Sequence, residues 1–306
     1  MPKLAMGNYP APVTPFSQKG DFMPDAFAEI IRWHIRNDAK GFLIAADNGE
    51  HWALSLKEIS AITEITMRET KAKLPVYVGA WAISEKETIE RARAAADAGA
   101  YGLCVKPQYY VHSWAEASKA DIVGRFEAVA KAVPLPMMVY NSPGRTGVHI
   151  NQEHLRAICD VAQVEALKDS NYNPLHQFEN WAQFHDRICV LISNCLFYFQ
   201  GLLLGAGGTM ACELELVGKN VQQVFDFQKL TPEERRGLLR TLTEISAILH
   251  DCGTVPSAYK AALNMIGLPA GYTREPLRPL APEAEAKVRA MLVRHGVIDG
   301  SLKAVS

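Results

Sequence analysis

A lysine closes the apolar run "VEALK" at position 168, and a tyrosine closes the run "MMVY" at position 140. An ammonium group at the end of an apolar strand loses solvation, which disfavours its charged form and lowers its pKa. The neutral amine is a nucleophile of the kind that forms Schiff bases with keto acids, after which the iminium draws electrons from the neighbouring carbon. A phenol one strand away could carry protons between that amine, the carbinolamine and the substrate. Position alone leaves other readings open. Lys168 could snorkel to solvent or pair with Asp169, and Tyr140 could be a core residue with its hydroxyl satisfied.

The elements that must position these groups are eight short apolar runs: 11–16, 41–46, 75–81, 102–107, 136–141, 164–169, 188–193 and 207–212. Amphipathic segments such as "DAFAEIIRWHIRNDA" and "SEKETIERARAAADAGA" lie between them, with apolar residues three and four apart and helix-ending signals close behind. Strands buried on both faces lose polar alternation, so this pattern predicts an α/β fold, a (β/α)8 TIM barrel, with an open doubly wound sheet as the runner-up. From residue 219 the pattern turns purely helical. The expected division is a barrel carrying the active site over 1–218 and a C-terminal helical extension over 219–306.

In such a barrel the reactive groups stand at the C-terminal ends of the strands. Besides Lys168 and Tyr140, the ends carry Asp47, Asn48 and Glu50 after run two, Gln108, Tyr109 and Tyr110 after run four, and Met210 behind the glycines of run eight.

The chain of 306 residues suits one barrel with an appendage. A formal net charge of -1 gives no overall pull toward nucleic acid or an anionic membrane, so neither is expected as a partner. No apolar run is long enough for a membrane span, and prolines interrupt the start where a signal peptide needs an apolar helix; a soluble cytoplasmic protein is expected. The six cysteines lack any C-x-x-C pair and read as free thiols, and the nine histidines form no H-E-x-x-H cluster, so no metal is expected.

The stretches "VYNSPGRTG", "ALKDSN", "NGE", "APVTPF" and "GAGGTM", with "VPSAYKAALNMIGL" in the tail, resemble the dihydrodipicolinate synthase and N-acetylneuraminate lyase family over essentially the full chain. The resemblance implies a (β/α)8 barrel with a C-terminal helical domain, assembled as a homotetramer built from tight dimers, with no metal or organic cofactor. It implies that Lys168 forms the Schiff base with pyruvate or another 2-keto acid, with an aldehyde as a possible second substrate. Tyr140 would relay protons, Tyr109 would reach across a dimer interface into the neighbouring site, and Arg145 would grip the carboxylate of the second substrate. Gly208 and Met210 would lie beside the bound keto acid, where the glycines let backbone approach closely, with structural packing an equal reading of those glycines.

One stretch departs from the family pattern. Where most members have G-T-T-G-E or G-S-T-G-E, this chain reads Ala46-Asp47-Asn48-Gly49-Glu50, and the hydroxyl pair is gone. Asn48 could still donate to a substrate carboxylate, but an ionised Asp47 would repel it. Asp47 is therefore expected to be protonated, to meet a substrate hydroxyl or cation, or to stabilise the iminium and act as a base. The reading that follows is a Schiff-base lyase, aldolase or dehydratase, other than the lysine-biosynthetic enzyme; the alternatives are 4-hydroxy-tetrahydrodipicolinate synthase proper, or a catalytically silent keto-acid-binding barrel. Trp52, Ile83 and Gln108 stand where lysine-regulated synthases present other side chains, which argues against feedback by lysine. His51 and Trp52 flank the acidic loop as possible pocket residues.

Overall fold

A computed structural model describes residues 4–109, 117–217 and 221–299. Eight strands, β1 (Gly7–Asn8), β2 (Phe42–Ile44), β3 (Val76–Gly79), β4 (Gly102–Val105), β5 (Met137–Asn141), β6 (Val164–Asp169), β7 (Cys189–Ile192) and β8 (Gly208–Thr209), pair in parallel in the order β1-β8-β7-β6-β5-β4-β3-β2. The cylinder closes where the Lys40 N–H donates to Asn8 O at 2.9 Å and the Leu43 N–H to Pro10 O at 3.0 Å. This is the (β/α)8 barrel that the alternating runs predict.

The first strand is not where the apolar run placed it. Residues 11–16 lie beyond β1, because Pro12 and Pro15 have no N–H to give to a ladder. They cross the barrel mouth instead, with the Ala11 N–H held by Glu215 Oε1 at 3.0 Å. Run eight is likewise shorter than expected. Gly208 has φ +154°, and a Cβ there would stand 2.0 Å from Gly7 O, so this glycine serves the contact between β8 and β1.

Period-two alternation sorts the strand side chains into two layers. Leu43, Tyr77, Cys104, Met138, Ala166, Cys189 and Leu191 fill the barrel interior. Ile44, Val78, Leu103, Val139, Leu167 and Val190 pack outward against the helices. The two expected helices form as Pro24–Arg36 and Glu85–Asp97; Ser84 caps the second by accepting from the Glu87 N–H.

Three longer helices, Pro232–Asp251, Val255–Met265 and Pro282–Arg294, follow the barrel. The first starts with a capping box, Thr231 with Glu234, and the expected division at 218/219 falls among residues 218–220, outside the described ones. These helices are tied to the loop after β2. Lys260 Nζ lies 2.5 Å from Glu50 Oε1 and donates to Tyr272 O at 2.6 Å, while the Arg274 N–H donates to Glu50 Oε2 at 2.8 Å. Both partners of the ion pair are almost fully buried.

A buried pair that loses one member strands the other charge, which costs about 3–5 kcal/mol. Lys260→Met is therefore expected to lower unfolding stability by about that amount, and Glu50→Gln with Lys260→Met to recover much of it. Urea unfolding of the two variants beside the parent protein measures this, and equal midpoints for all three would remove the pair from any role in holding the loop.

Candidate active site

β5 and β6 run in register with Tyr140 opposite Lys168 and Asn141 opposite Asp169. Alternation sends the first pair into the barrel mouth and the second toward the helices. On the helix side, Asp169 accepts from Asn141 Nδ2 at 3.1 Å, from Asn180 Nδ2 at 2.6 Å and from the Asn171 N–H at 3.0 Å, and it lies 3.0 Å from His176 Nε2. Asp169 is thereby committed away from the mouth, and the pairing of Lys168 with its sequence neighbour does not form.

Lys168 does not snorkel either: it is 6% exposed. Its Nζ stands 4.5 Å from the centroid of the Tyr140 ring, and among the described residues no carboxylate lies within ion-pair distance of it. Burial pulls its pKa below the ordinary lysine value, and Asp47 only partly offsets that. The result is an amine biased toward its nucleophilic form.

Asp47 is the centre of the site. The loop that carries it leaves β2 through Ala45 at φ 49° and ends at Glu50 at φ 56°, two non-glycine residues in the left-handed region. Such conformations cost about 1–3 kcal/mol each and persist where the surroundings fix them. Thr14 Oγ1 holds Gly49 O at 2.9 Å, and Glu50 is fixed by Lys260 and Arg274.

So placed, the Asp47 carboxylate accepts from Lys106 Nζ at 2.7 and 2.9 Å and from the Tyr140 hydroxyl at 3.1 Å, and Arg145 Nε lies 3.3 Å away. Burial alone would raise the Asp47 pKa. Lys106 and Arg145 outweigh it and hold the carboxyl well below the usual range. Asp47 is therefore ionised, and of the three expectations for it the protonated one is corrected. His51 Nδ1 is 3.5 Å from Asp47, but burial pushes the His51 pKa down to about 3, so the ring is neutral. Tyr140 is raised well above the ordinary phenol value, first by burial and then by Asp47, and keeps its proton.

A cavity of about 570 Å³ opens above these groups. Lys168, Tyr140, Asp47, Asn48, Arg145 and Met210 all line it. Gly208 does not; its place is the strand contact described above. Asn48 points its amide at Cys212 Sγ, 2.7 Å away, and Arg145 is drawn to Asp47 while its side chain stays 46% exposed. Tyr109 is half-buried against the barrel-interior cluster and does not line the cavity of the single chain; Tyr110 lies outside the described residues. The far wall comes from the helix Pro232–Asp251 through Thr243, Ser246 and His250, with Glu213 beside them. Burial raises the Glu213 pKa, and its Oε1 accepts from the Tyr198 hydroxyl at 2.9 Å.

Lys106 is the residue that sequence reasoning missed. Its signal was present, since "GLCVK" ends on a lysine just as "VEALK" does. The wall residues from the helix 232–251 had no such signal, because only the fold brings that helix over the barrel mouth.

The geometry can be set beside known proteins. The model of the dihydrodipicolinate synthetase family matches residues 5–295. The chain is 29% identical over 297 residues to the 4-hydroxy-tetrahydrodipicolinate synthase of Neisseria gonorrhoeae (strain ATCC 700825 / FA 1090), covering 96% of this chain and 99% of that one. A crystal structure of dihydrodipicolinate synthase (dapA) superposes with a TM-score of 0.84 at 27% identity, over 96% of this chain and 100% of that one. YagE, a prophage protein from E. coli K12 solved in complex with pyruvate, shares the fold with a TM-score of 0.87 at 24% identity, over 96% and 99% of the two chains. The name of the Neisseria gonorrhoeae relative is that of the enzyme that the reading of the Asp47-Asn48 loop set aside, so the comparisons favour the alternative, 4-hydroxy-tetrahydrodipicolinate synthase, over that expectation. Since the match starts just before β1 and runs past the end of the last helix, it leaves no part of this fold unaccounted for, and the chain belongs to the dihydrodipicolinate synthetase family of lyases.

Proposed function

We propose that this lyase works by Schiff-base capture of a 2-keto acid on Lys168, with Tyr140 as the proton relay. The observation that carries this is a buried lysine with no carboxylate partner among the described residues, stacked on a tyrosine whose hydroxyl is bonded to an ionised carboxylate. Lys168 sheds a proton to become the nucleophile and attacks the keto carbon. The Tyr140–Asp47 pair takes up that proton and returns it to the carbinolamine oxygen, which leaves as water, so ammonium and ketone give iminium and water with no net proton change. The iminium then acidifies the adjacent carbon for bond formation or cleavage.

The site admits an anion. Lys106 and Arg145 bring two positive charges to the one carboxylate of Asp47, so a keto-acid carboxylate meets a net positive mouth before Lys168 is counted. The repulsion expected from Asp47 alone is thus cancelled.

For the second substrate, the relatives' name supports condensation of pyruvate with an amino-acid aldehyde, since a dipicolinate product carries two carboxylates and the keto acid supplies only one. A specific observation favours a second reading. Arg145 is already held by Asp47, and the far wall offers Thr243, Ser246 and His250, groups suited to a hydroxylated chain. The proposal extends to a cytoplasmic homotetramer built as a dimer of dimers, in which Tyr109 enters the neighbouring subunit's site.

Borohydride reduction in the presence of pyruvate should leave a stable adduct on Lys168, found by intact mass and peptide mapping, and Lys168→Ala should abolish both adduct and turnover. Label on another lysine, or none with pyruvate and a panel of 2-keto sugar acids, would end this reading; adduct without turnover on any aldehyde would leave a silent binding barrel. Tyr140→Phe is expected to slow turnover by about 10²–10⁴-fold with its melting temperature close to the parent's. Because Lys168 is lowered by burial, the adduct should form with an apparent pKa below that of a free lysine, and the rate should rise with pH through that value. Amino-acid aldehydes and hydroxylated aldehydes, supplied in parallel with pyruvate, decide between the two acceptors.

A further inference from the structure

Lys106 stands two residues past Cys104, on the inward side of β4, and is 3% exposed. Its Nζ spans both oxygens of Asp47 and lies 4.6 Å from the Trp81 ring centroid and 4.5 Å from that of Tyr140. Tyr140 therefore has a lysine amine 4.5 Å from its ring centroid on each of two neighbouring strands, β6 and the end of β4. The two are not equivalent. Burial lowers the pKa of both, but Lys106 gives Asp47 two charge-assisted hydrogen bonds that oppose the loss of its proton, whereas among the described residues Lys168 has no carboxylate within reach.

We infer that Lys106 is a positioning residue of the reaction: by holding Asp47 as a carboxylate, it keeps the Tyr140 hydroxyl donating to Asp47 and leaves the Tyr140 oxygen to accept a proton from the Lys168 nitrogen. This rests on the Schiff-base reading of Lys168. A protonated Asp47 would offer an O–H of its own, and the Tyr140 oxygen would then accept rather than donate. The direction of one hydrogen bond thus depends on one buried ammonium group.

Several groups face Asp47. They are Lys106 from the end of β4, Tyr140 from β5, Arg145 from the one-turn helix after β5 and His51 from the short 3-10 turn after β2, with Lys168 from β6, Cys104 from β4 and Tyr109 beyond β4 close by. His51 is neutral, and Arg145 is the exposed cation that an incoming carboxylate can draw off. Lys168 is consumed by the substrate. Among the described residues, Lys106 is the counter-ion that stays with Asp47 throughout the cycle. With it removed, burial, the largest influence on Asp47, raises the carboxyl.

The test compares Lys106→Met, Lys106→Arg and the pair Asp47→Asn with Lys106→Met. The time course of borohydride-trapped pyruvate adduct is followed over a range of pH, with melting temperatures recorded alongside. In the parent protein Asp47 stays ionised, so the fall in rate at low pH belongs to Lys168. In Lys106→Met, adduct should still map to Lys168 but form about 100-fold more slowly at neutral pH. Its acid limb should move up by about one pH unit or more, because the carboxylate is now lost as pH falls through a raised pKa. Lys106→Arg should restore most of the rate and return the limb. The neutral double variant buries no stranded charge and should stay slow while its limb returns toward the parent's, because an amide does not titrate. An equal loss at every pH with an unmoved limb would mean that Lys106 only packs, and would overturn the inference. So would a rate unchanged in Lys106→Met. Absence of adduct in the parent protein is a different result, which removes the Schiff-base reading itself.

Discussion

The site depends on one buried carboxylate being kept ionised. Asp47 sits where desolvation would protonate it, and it stays charged because Lys106 spans both of its oxygens and Arg145 approaches from the next loop. Breaking such an arrangement on one side strands a charge, so its members stand or fall together. The loop that delivers Asp47 is strained at Ala45 and Glu50, and the strain is contained by contacts remote from the chemistry. Gly79 is part of that containment: a side chain there would stand 2.1 Å from Ala45 O, so β3 must present a bare backbone for the loop to turn. The grip of Lys260 and Arg274 on Glu50 supplies the rest. Helices that follow the barrel in sequence therefore belong to the site twice, as the anchor of the Asp47 loop and as the far wall of the cavity.

The strand period keeps two charge systems apart. Asp169 and Lys168 are adjacent in sequence, yet one faces the helices within a buried amide and imidazole network and the other faces the cavity. A one-residue slip of β6 would exchange them, placing a second carboxylate in the mouth and an ammonium among the helices. The network around Asp169 is thus more than local satisfaction of polar groups. It fixes the register of β5 and β6, through Asn141 on one strand and Asp169 on the other, and so fixes Tyr140 opposite Lys168.

Much of this was legible in the sequence. The barrel followed from alternation of apolar runs with amphipathic segments, and Lys168 and Tyr140 followed from their places at strand ends. The first strand was misplaced because apolarity was weighed above the missing N–H groups of Pro12 and Pro15. Asp47 was read as a repulsive charge because it was weighed without Lys106, which lies 59 residues further along the chain and meets it only through the closure of β2, β3 and β4. Gly208 could be read as a substrate neighbour or as a packing residue, because glycines near an active site and glycines between crowded strands have the same sequence signature. Only the 2.0 Å approach to Gly7 O separates them.

The arrangement also links substrate charge to proton position. Arg145 is the exposed partner of Asp47, and Lys106 is the buried one. In the proposed reaction, a substrate carboxylate that drew Arg145 away would remove one of the two cations that hold Asp47 ionised and so would raise the carboxyl. Lys106 would prevent that shift from running to completion. Where the family pattern has hydroxyl groups, this chain has a carboxylate flanked by Arg145, so in the proposed reaction anion binding at the outer end of the cavity and proton transfer at Tyr140 would act on the same two oxygens.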